Sequence, residues 1–127
     1  MGETMQVLLL CGLAGALGAL SRLGISRLVQ RLAGTNLPLA TAAVNLLGCF
    51  LFGLLWGLLN DRFAASAGVK TVVFTGFLGA LTTFSTYAYE NVGLMAEGRL
   101  TTALLNVLGQ NILGFALVAL GLTLARN

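Results

Sequence analysis

Long apolar runs, separated by a few charged residues, cover most of this chain. A helix of about 20 apolar residues spans a hydrocarbon core of roughly 30 Å. Four stretches contain no Asp, Glu, Lys or Arg: residues 4–21, 32–60, 71–89 and 100–125. The charged residues between them mark short connections, into which the helices extend: residues 22–36, 60–70 and 90–99. The pattern predicts a single domain over residues 1–127 with four transmembrane helices, at about residues 4–31, 38–59, 71–95 and 100–125.

The composition excludes a water-soluble fold. Only 9% of the residues are charged, against roughly 25% in a soluble domain, and the mean hydropathy is +0.94. The chain has no histidine, and Cys11 and Cys49 lie inside apolar runs, so we expect no zinc or haem site. The spans leave no extramembrane domain. We therefore expect a multi-pass protein of the cell (inner) membrane, surrounded by lipid, with no enzymatic activity and no nucleic-acid partner.

The distribution of positive charge gives almost no preferred orientation. With four crossings, both termini and the second loop share one side, and an excess of Lys and Arg normally marks the cytoplasmic side. Two interpretations stay open: other signals orient the protein, or it inserts both ways and oppositely oriented copies pair as an antiparallel, dual-topology homodimer. The two sides carry three and four basic residues: Arg62, Lys70 and Arg126 against Arg22, Arg27, Arg31 and Arg99.

The glycines have a spacing that permits close approach between helices in lipid. Three lie along the first helix, Gly12, Gly15 and Gly18, and the second contains Gly53-x-x-x-Gly57. The pattern supports packing either within one subunit or between two copies.

The third span is short, contains two glycines and has five Ser or Thr residues within twelve positions, where helix propensity is weak. A short membrane segment interrupted by glycine is a pointer to a helix break at an ion site. We therefore predict that the third helix is broken, with freed carbonyls that need a partner. If the segment after the break is helical, Thr82, Thr86 and Glu90 form a polar stripe, and Phe84 and Tyr87 are neighbours.

Polar residues also lie inside the second and fourth spans, where each must face protein or water. Thr41 and Asn45 are one turn apart in the second span, and Asn106 and Gln110 repeat that spacing in the fourth. An Asn amide at membrane depth is an uncharged donor for an anion, and the edge of an aromatic ring is also weakly positive. The alternative is that these amides only hydrogen-bond between helices.

Three segments resemble the small fluoride channels of the Fluc, or CrcB, type, and the resemblance covers nearly the whole chain. They are Gly18-Ala19-Leu20-Ser21-Arg22, then Thr41 through Val44-Asn45-Leu46-Leu47-Gly48, and Gly76-Phe77-Leu78-Gly79-Ala80-Leu81-Thr82-Thr83-Phe84-Ser85-Thr86. The resemblance implies an antiparallel homodimer that forms a passive, highly selective channel. Such a channel exports fluoride down its electrochemical gradient and protects against fluoride toxicity.

The resemblance also implies roles for single residues. Asn45 matches the family's pore asparagine, which donates to fluoride, and Phe84 matches the first of two phenylalanines whose ring edges face the ion. Tyr87 stands where the second phenylalanine is usual, which keeps the ring edge and adds a hydroxyl. Gly79 and Thr82 match the break whose backbone carbonyls, from both subunits, hold a structural Na⁺ on the dimer axis.

Further positions are assigned by the same resemblance. Asn106 and Gln110 stand where the family often has Tyr and Ser, and they keep the capacity to donate. Arg22 matches an arginine near the membrane boundary, which helps to draw anions into the vestibule. The polar track and the vestibule end of the pore are matched by Thr41, Ser85, Thr86 and Glu90.

Two other classes of function remain as alternatives. A proton-coupled exporter like the small multidrug resistance proteins is also a four-helix, dual-topology protein, but it needs a carboxylate deep in the first helix, and residues 4–21 contain none. A membrane assembly subunit without transport would use the polar residues of the third span only to hold helices together.

Overall fold

The computed structural model describes residues 2–35 and 37–127 and shows an all-helical architecture over this part of the chain. The end of the predicted first connection, at residue 36, lies outside the described residues. The four-span prediction is confirmed, since four helical segments are long and apolar enough to cross a membrane: Glu3–Ala33, Leu39–Arg62, Ala67–Ala96 and Leu100–Arg126.

Helix α1, Glu3–Ala33, has 31 residues and is about 46 Å long, well above the thickness of a hydrocarbon core. It is capped by Gly34, whose φ of 56° places it in the left-handed region and whose N–H donates to the carbonyl of Gln30. Glycine suits this position because it has no Cβ. Arg22 therefore lies inside α1, eleven residues before its last residue.

Helix α2, Leu39–Trp56, continues as a π-helix, Gly57–Arg62, and packs closely against α6, Leu100–Arg126. Small residues let the two backbones approach. A Cβ at Gly53 would overlap the carbonyl of Val118, and a Cβ at Gly121 would overlap the carbonyl of Phe50. Gly57 lies in the same way against Ala125. The Gly53-x-x-x-Gly57 motif therefore packs within the subunit.

Helix α1 packs on the third span through a second set of glycines. A Cβ at Gly18 would overlap the carbonyl of Phe77, and a Cβ at Gly76 would come within 2.8 Å of the carbonyl of Cys11. Gly15 lies in ordinary contact with the Gly76 carbonyl, whereas a Cβ at Gly12 would have no neighbour within 4 Å. Two of the three glycines predicted to mediate packing in α1 thus pack within the subunit.

The third span is helical on both sides of two extended residues. It consists of α3, Ala67–Lys70, a π-helix, Thr71–Leu78, and α4, Gly79–Leu81, followed after the two residues by α5, Phe84–Ala96. Thr82 has φ −89° and ψ 160°, and Thr83 has φ −149° and ψ 112°. The predicted stripe is therefore wrong at Thr82, because Thr82 lies before the first residue of α5 and does not share its helical repeat.

Polar contacts join three spans at one end of the molecule. Arg126 Nε lies 2.8 Å from Asp61 Oδ2, and Lys70 Nζ donates to Asn60 Oδ1 at 2.7 Å. Both contacts are exposed to solvent, where such pairs stabilise a fold only weakly. They join the end of the second span to the end of α6 and to the start of the third span.

The contact between α2 and α6 yields the first prediction. We expect Gly121→Ala to lower the free energy of unfolding by about 1–3 kcal/mol, because the added methyl group overlaps the α2 backbone. Thermal unfolding of the detergent-solubilised protein measures this. Gly109→Ala in the same helix is the matched control, since a Cβ there has no neighbour within 4 Å. Equal midpoints for the two variants would contradict the packing described.

Candidate functional site

The two extended residues change where the backbone hydrogen bonds of the third span go. The N–H and the hydroxyl of Thr82 both donate to the carbonyl of Leu78, at 3.1 and 3.0 Å. In a continuous helix the N–H of Thr83 would donate to the carbonyl of Gly79. It donates instead to Oδ1 of Asn45, at 2.8 Å. Within the described residues, the carbonyl of Gly79 therefore receives no backbone N–H.

The side-chain amide of Asn45 pairs with the backbone of Thr83 on both of its polar groups. Asn45 Oδ1 accepts from the Thr83 N–H, and Asn45 Nδ2 donates to the Thr83 carbonyl at 3.2 Å. Nδ2 also donates to Gln110 Oε1 at 3.2 Å. An amide nitrogen has two N–H donors, so both donors of Asn45 have acceptors within the subunit. Asn45, on α2, thus substitutes for the missing helical partners at the break.

Hydroxyl groups gather at the first turn of α5. Thr83 is the N-cap, because its Oγ1 accepts from the N–H of Thr86 at 3.2 Å. The Thr83 hydroxyl donates to Thr86 Oγ1 at 2.9 Å and lies 3.5 Å from Ser85 Oγ. The N-terminus of a helix carries a partial positive charge that stabilises anions. The sequence-predicted residues Ser85 and Thr86 are therefore placed at the positive end of α5, and both are exposed in the subunit.

The two predicted aromatic residues lie side by side on α5. The ring centroids of Phe84 and Tyr87 are 5.7 Å apart with an interplanar angle of 40°. The Tyr87 hydroxyl accepts from Asn111 Nδ2 at 3.1 Å, so the extra oxygen of the tyrosine has a partner. Phe84 is 79% exposed, although it lies at the middle of a membrane-spanning segment.

A cavity of about 360 Å³ adjoins the break. It opens onto the surface of the subunit, and most of its lining is apolar. Five of its lining residues belong to the break or reach it: Asn45, Gly79, Thr82, Thr83 and Phe84. The polar residues of the break are thus accessible from one side of the subunit.

Thr41 and Glu90 form a separate polar contact between α2 and α5. Thr41 is 5% exposed and donates to Glu90 Oε1 at 2.7 Å. The other carboxylate oxygen of Glu90 is buried and has no hydrogen-bond partner within the described residues. Glu90 also lines a cavity of about 500 Å³ that contains Glu97 and Arg99. Glu90, which the sequence places on the polar track of the pore, therefore lines a cavity together with two other charged residues.

The two predicted residues of α6 join the site through hydrogen bonds. Gln110 Nε2 donates to Asn106 Oδ1 at 2.9 Å, and Asn106 Nδ2 donates to Asn91 Oδ1 at 3.0 Å. Asn91 is 4% exposed, and its Nδ2 donates to the carbonyl of Tyr87 at 2.8 Å. Sequence reasoning missed Asn91, which follows Glu90 and lies outside the uncharged run. The signal available was an amide within a helix predicted to continue to about residue 95.

Arg22 reaches the same break from α1. Its Nη1 donates to the carbonyl of Thr82 at 3.5 Å. This carbonyl lies just beyond the C-terminus of α4, the end of a helix that favours a cation. The guanidinium group thus lies against the break, whereas the family resemblance of the sequence motifs places Arg22 in a vestibule.

The sequence itself matches a described family. The family model "CrcB-like protein, Camphor Resistance (CrcB)" matches residues 9–122, which include every residue of the site described above. The chain belongs to the CrcB family. The family expected from the sequence motifs is therefore confirmed, and with it a multi-pass membrane protein.

Curated relatives of this CrcB family protein match over nearly their full length. A protein of Nitratidesulfovibrio vulgaris, strain Miyazaki F, is 48% identical, with 96% of this chain and 98% of the relative covered. A protein of Nitrosococcus oceani is 44% identical, with 95% and 97% covered. A protein of Salinibacter ruber is 46% identical, with 92% and 87% covered. Each relative is named "Fluoride-specific ion channel FluC".

The pairing of Asn45 with Thr83 yields the second prediction. We expect Asn45→Leu to lower the free energy of unfolding by about 1–3 kcal/mol, because it leaves the Thr83 N–H and carbonyl without their side-chain partner. Thermal unfolding in detergent, together with faster hydrogen exchange at the Thr83 amide, measures the loss. Asn111→Leu is the control, since Asn111 is exposed and does not contact the break. Hydrogen exchange at the Thr83 amide that is as slow in Asn45→Leu as in the wild type would contradict the role described for Asn45.

Proposed function

We propose that this protein is a passive, highly selective fluoride channel, which lets the anion leave the cell and so protects against fluoride toxicity. Relatives with this named activity match 95–96% of this chain. The observation in the structure that carries the proposal is the first turn of α5. There a helix N-terminus and three hydroxyls lie within a membrane span, beside the exposed ring of Phe84.

The chemistry of this turn suits a small, strongly hydrated anion. Fluoride gives up its water only where other donors replace it. Ser85 and Thr86 provide hydroxyls, the helix N-terminus provides partial positive charge, and the edge of the Phe84 ring is weakly positive. A full positive charge would hold the ion too firmly, because conduction needs several weak sites. Residues 71–89 carry no Lys or Arg, which is consistent with passage instead of storage.

A channel without energy coupling is sufficient for the proposed role. Hydrogen fluoride is a weak acid that crosses a bilayer in its neutral form and ionises in a near-neutral cytoplasm, which traps the anion. A potential of 100 mV, negative inside, is worth about 2.3 kcal/mol per elementary charge, or roughly a fiftyfold concentration ratio. That force drives the anion outward.

A second copy of the chain, inserted in the opposite direction, completes the path in this proposal. Hydroxyls in a membrane span must face protein or water, and Ser85 and Thr86 are exposed in the single subunit. Phe84 and Tyr89 are 79% and 80% exposed. An antiparallel partner is favoured over a parallel one because the basic residues are almost evenly divided between the two sides.

The carbonyls of Gly79 and Thr82 suit the structural sodium ion that we propose for the dimer axis. Sodium is a hard cation with a preference for oxygen ligands. The Gly79 carbonyl lacks a backbone donor within the described residues, and the Thr82 carbonyl accepts from Arg22 only at the long distance of 3.5 Å. Two such oxygens from each subunit would hold the ion, and a bound sodium would provide the Gly79 carbonyl with a partner.

Fluoride efflux from liposomes tests the proposed function. Purified protein is reconstituted with internal potassium fluoride, valinomycin carries the compensating charge, and a fluoride electrode follows release, with chloride measured in parallel. We expect fast fluoride release that needs valinomycin, with chloride retained. Release that needs a proton gradient would favour the exporter, and no release would favour the assembly subunit.

A pair of phenylalanine variants locates the path in the same assay. We expect Phe84→Ile to slow fluoride release by about tenfold or more, the factor that corresponds to 1.36 kcal/mol of barrier. Phe115→Ile is the matched control, since Phe115, on α6, is similarly exposed, at 76%, and does not line the cavity that adjoins the break. Equal rates for the two variants would remove Phe84 from the proposed path.

The proposed sodium site and dimer are tested together, without transport. We expect sodium chloride to raise the thermal midpoint and the dimer fraction relative to choline chloride at the same concentration, since a ligand of the assembled state stabilises it by mass action. Light scattering and thermal unfolding in detergent measure both quantities. Identical values in the two salts would contradict a sodium ion held between subunits.

A further inference from the structure

Four side-chain amides form one continuous chain of hydrogen bonds across α2, α6 and α5. Asn45 donates to Gln110 at 3.2 Å, Gln110 donates to Asn106 at 2.9 Å, and Asn106 donates to Asn91 at 3.0 Å. Asn91 in turn donates to the backbone carbonyl of Tyr87 at 2.8 Å. In every step an amide N–H meets the oxygen of the next group.

The two ends of this amide chain set its direction. The carbonyl of Tyr87 only accepts, so Asn91 directs its nitrogen to that carbonyl and its oxygen to Asn106. At the other end the N–H of Thr83 only donates, so Asn45 directs its oxygen to Thr83 and its nitrogen to Gln110. Both ends therefore require that each NH₂ group points along the chain from Asn45 toward Asn91. Rotation of one amide alone would bring two oxygens or two NH₂ groups together.

Asn91 is the most firmly placed member of the amide chain. It is 4% exposed, whereas Asn45, Asn106 and Gln110 are half-buried. A buried amide that loses a partner carries a desolvation cost, and hydrogen bonds are stronger where water is excluded. A leucine would fill the same space without this requirement. The amide at position 91 therefore contributes direction to the chain as well as volume.

We propose that Asn91 is a positioning residue of the anion path, acting through Asn106 and Gln110 on Asn45. Asn91 fixes one end of the amide chain and Asn45 fixes the other, and together they hold the oxygen of Gln110 toward Asn45. An anion that approaches Asn45 must displace that oxygen from the Asn45 N–H. The displacement weakens anion binding, and weak binding is what rapid passage requires. This inference rests on the proposed fluoride channel function.

Loss of the amide at position 91 should strengthen anion binding and slow the exit of the anion. Without the Asn91 oxygen, Asn106 can turn its NH₂ group toward Gln110. Once an anion has displaced Gln110 from Asn45, Gln110 can then turn its own NH₂ group toward that anion. The anion then meets an additional donor and loses a competitor. It binds at lower concentration and leaves more slowly.

Saturation of fluoride efflux tests this role. We expect Asn91→Leu to lower both the half-saturating fluoride concentration and the maximal rate by about fivefold, roughly 1 kcal/mol each at 1.36 kcal/mol per tenfold change. Asn91→Thr should restore both values to within about twofold, since its hydroxyl can donate to the Tyr87 carbonyl and accept from Asn106. Thr71 and Thr123 already donate to carbonyls four residues earlier in this way.

Two further variants separate positioning from stability. Gly121→Ala weakens the contact between α2 and α6 without touching the amide chain, so it should reduce the amount of active protein but leave the half-saturating concentration unchanged. Gln110→Met removes the competing oxygen directly and leaves the buried Asn91 in place. It should lower the half-saturating concentration even if Asn91→Leu fails to assemble. Unchanged values in both Asn91→Leu and Gln110→Met would overturn the inference.

A measurement without transport keeps the inference distinct from the proposed function. With ¹⁵N-labelled asparagine and glutamine side chains, Asn91→Leu should shift the NH₂ resonances of Asn106, Gln110 and Asn45 and leave that of the exposed Asn60 unchanged. Resonances of Asn45 that do not move would overturn the coupling. Wild-type protein that releases no fluoride would overturn the proposed function and the transport role of Asn91, while the resonances still decide whether the amide chain is coupled.

Discussion

The pairing of one side-chain amide with one backbone unit, Asn45 with Thr83, is the interaction on which the rest of the site depends. Inside a bilayer each unsatisfied backbone polar group costs several kcal/mol. A helix can stop at membrane depth only if other groups take over its hydrogen bonds. Asn45 does so for both the N–H and the carbonyl of Thr83. Thr83 is then free to cap α5, and this cap determines where α5 begins and where its positive end lies.

Close packing by glycine brings Asn45 within reach of the break. Gly48, less than one turn further along α2, lies against the methyl group of Thr82, where a Cβ would overlap it. On the opposite side Gly18 of α1 approaches the Phe77 carbonyl as closely. The third span is therefore held between two helices at the level where it is interrupted. The same small residues that allow four helices to pack without a large core also fix where the polar groups meet.

The sequence predicted the spans well because hydrophobic runs and charged residues report directly on membrane crossings. It predicted the break less completely. Periodicity predicts a polar stripe of Thr82, Thr86 and Glu90 on one helix, because it does not reveal that α5 begins only at Phe84. The donors of Asn45 were assigned to an ion from family likeness, and their partners within the subunit depend on how α2 lies beside the third span. Asn91 was missed because a charged neighbour, Glu90, ended the uncharged run. The roles of these residues in conduction stay predictions.

The π-helix Thr71–Leu78 has a consequence for the orientation of the whole third span. A π-helix closes its hydrogen bonds over five residues instead of four and therefore turns through a smaller angle per residue than an α-helix. After eight residues, this difference has changed the direction in which every later side chain points. The π-helix therefore sets the direction in which Gly79, Thr82 and Thr83 point around the axis of the third span. If the π-helical stretch were longer or shorter by a single residue, the break would turn away from α2, although no residue of the break itself had changed.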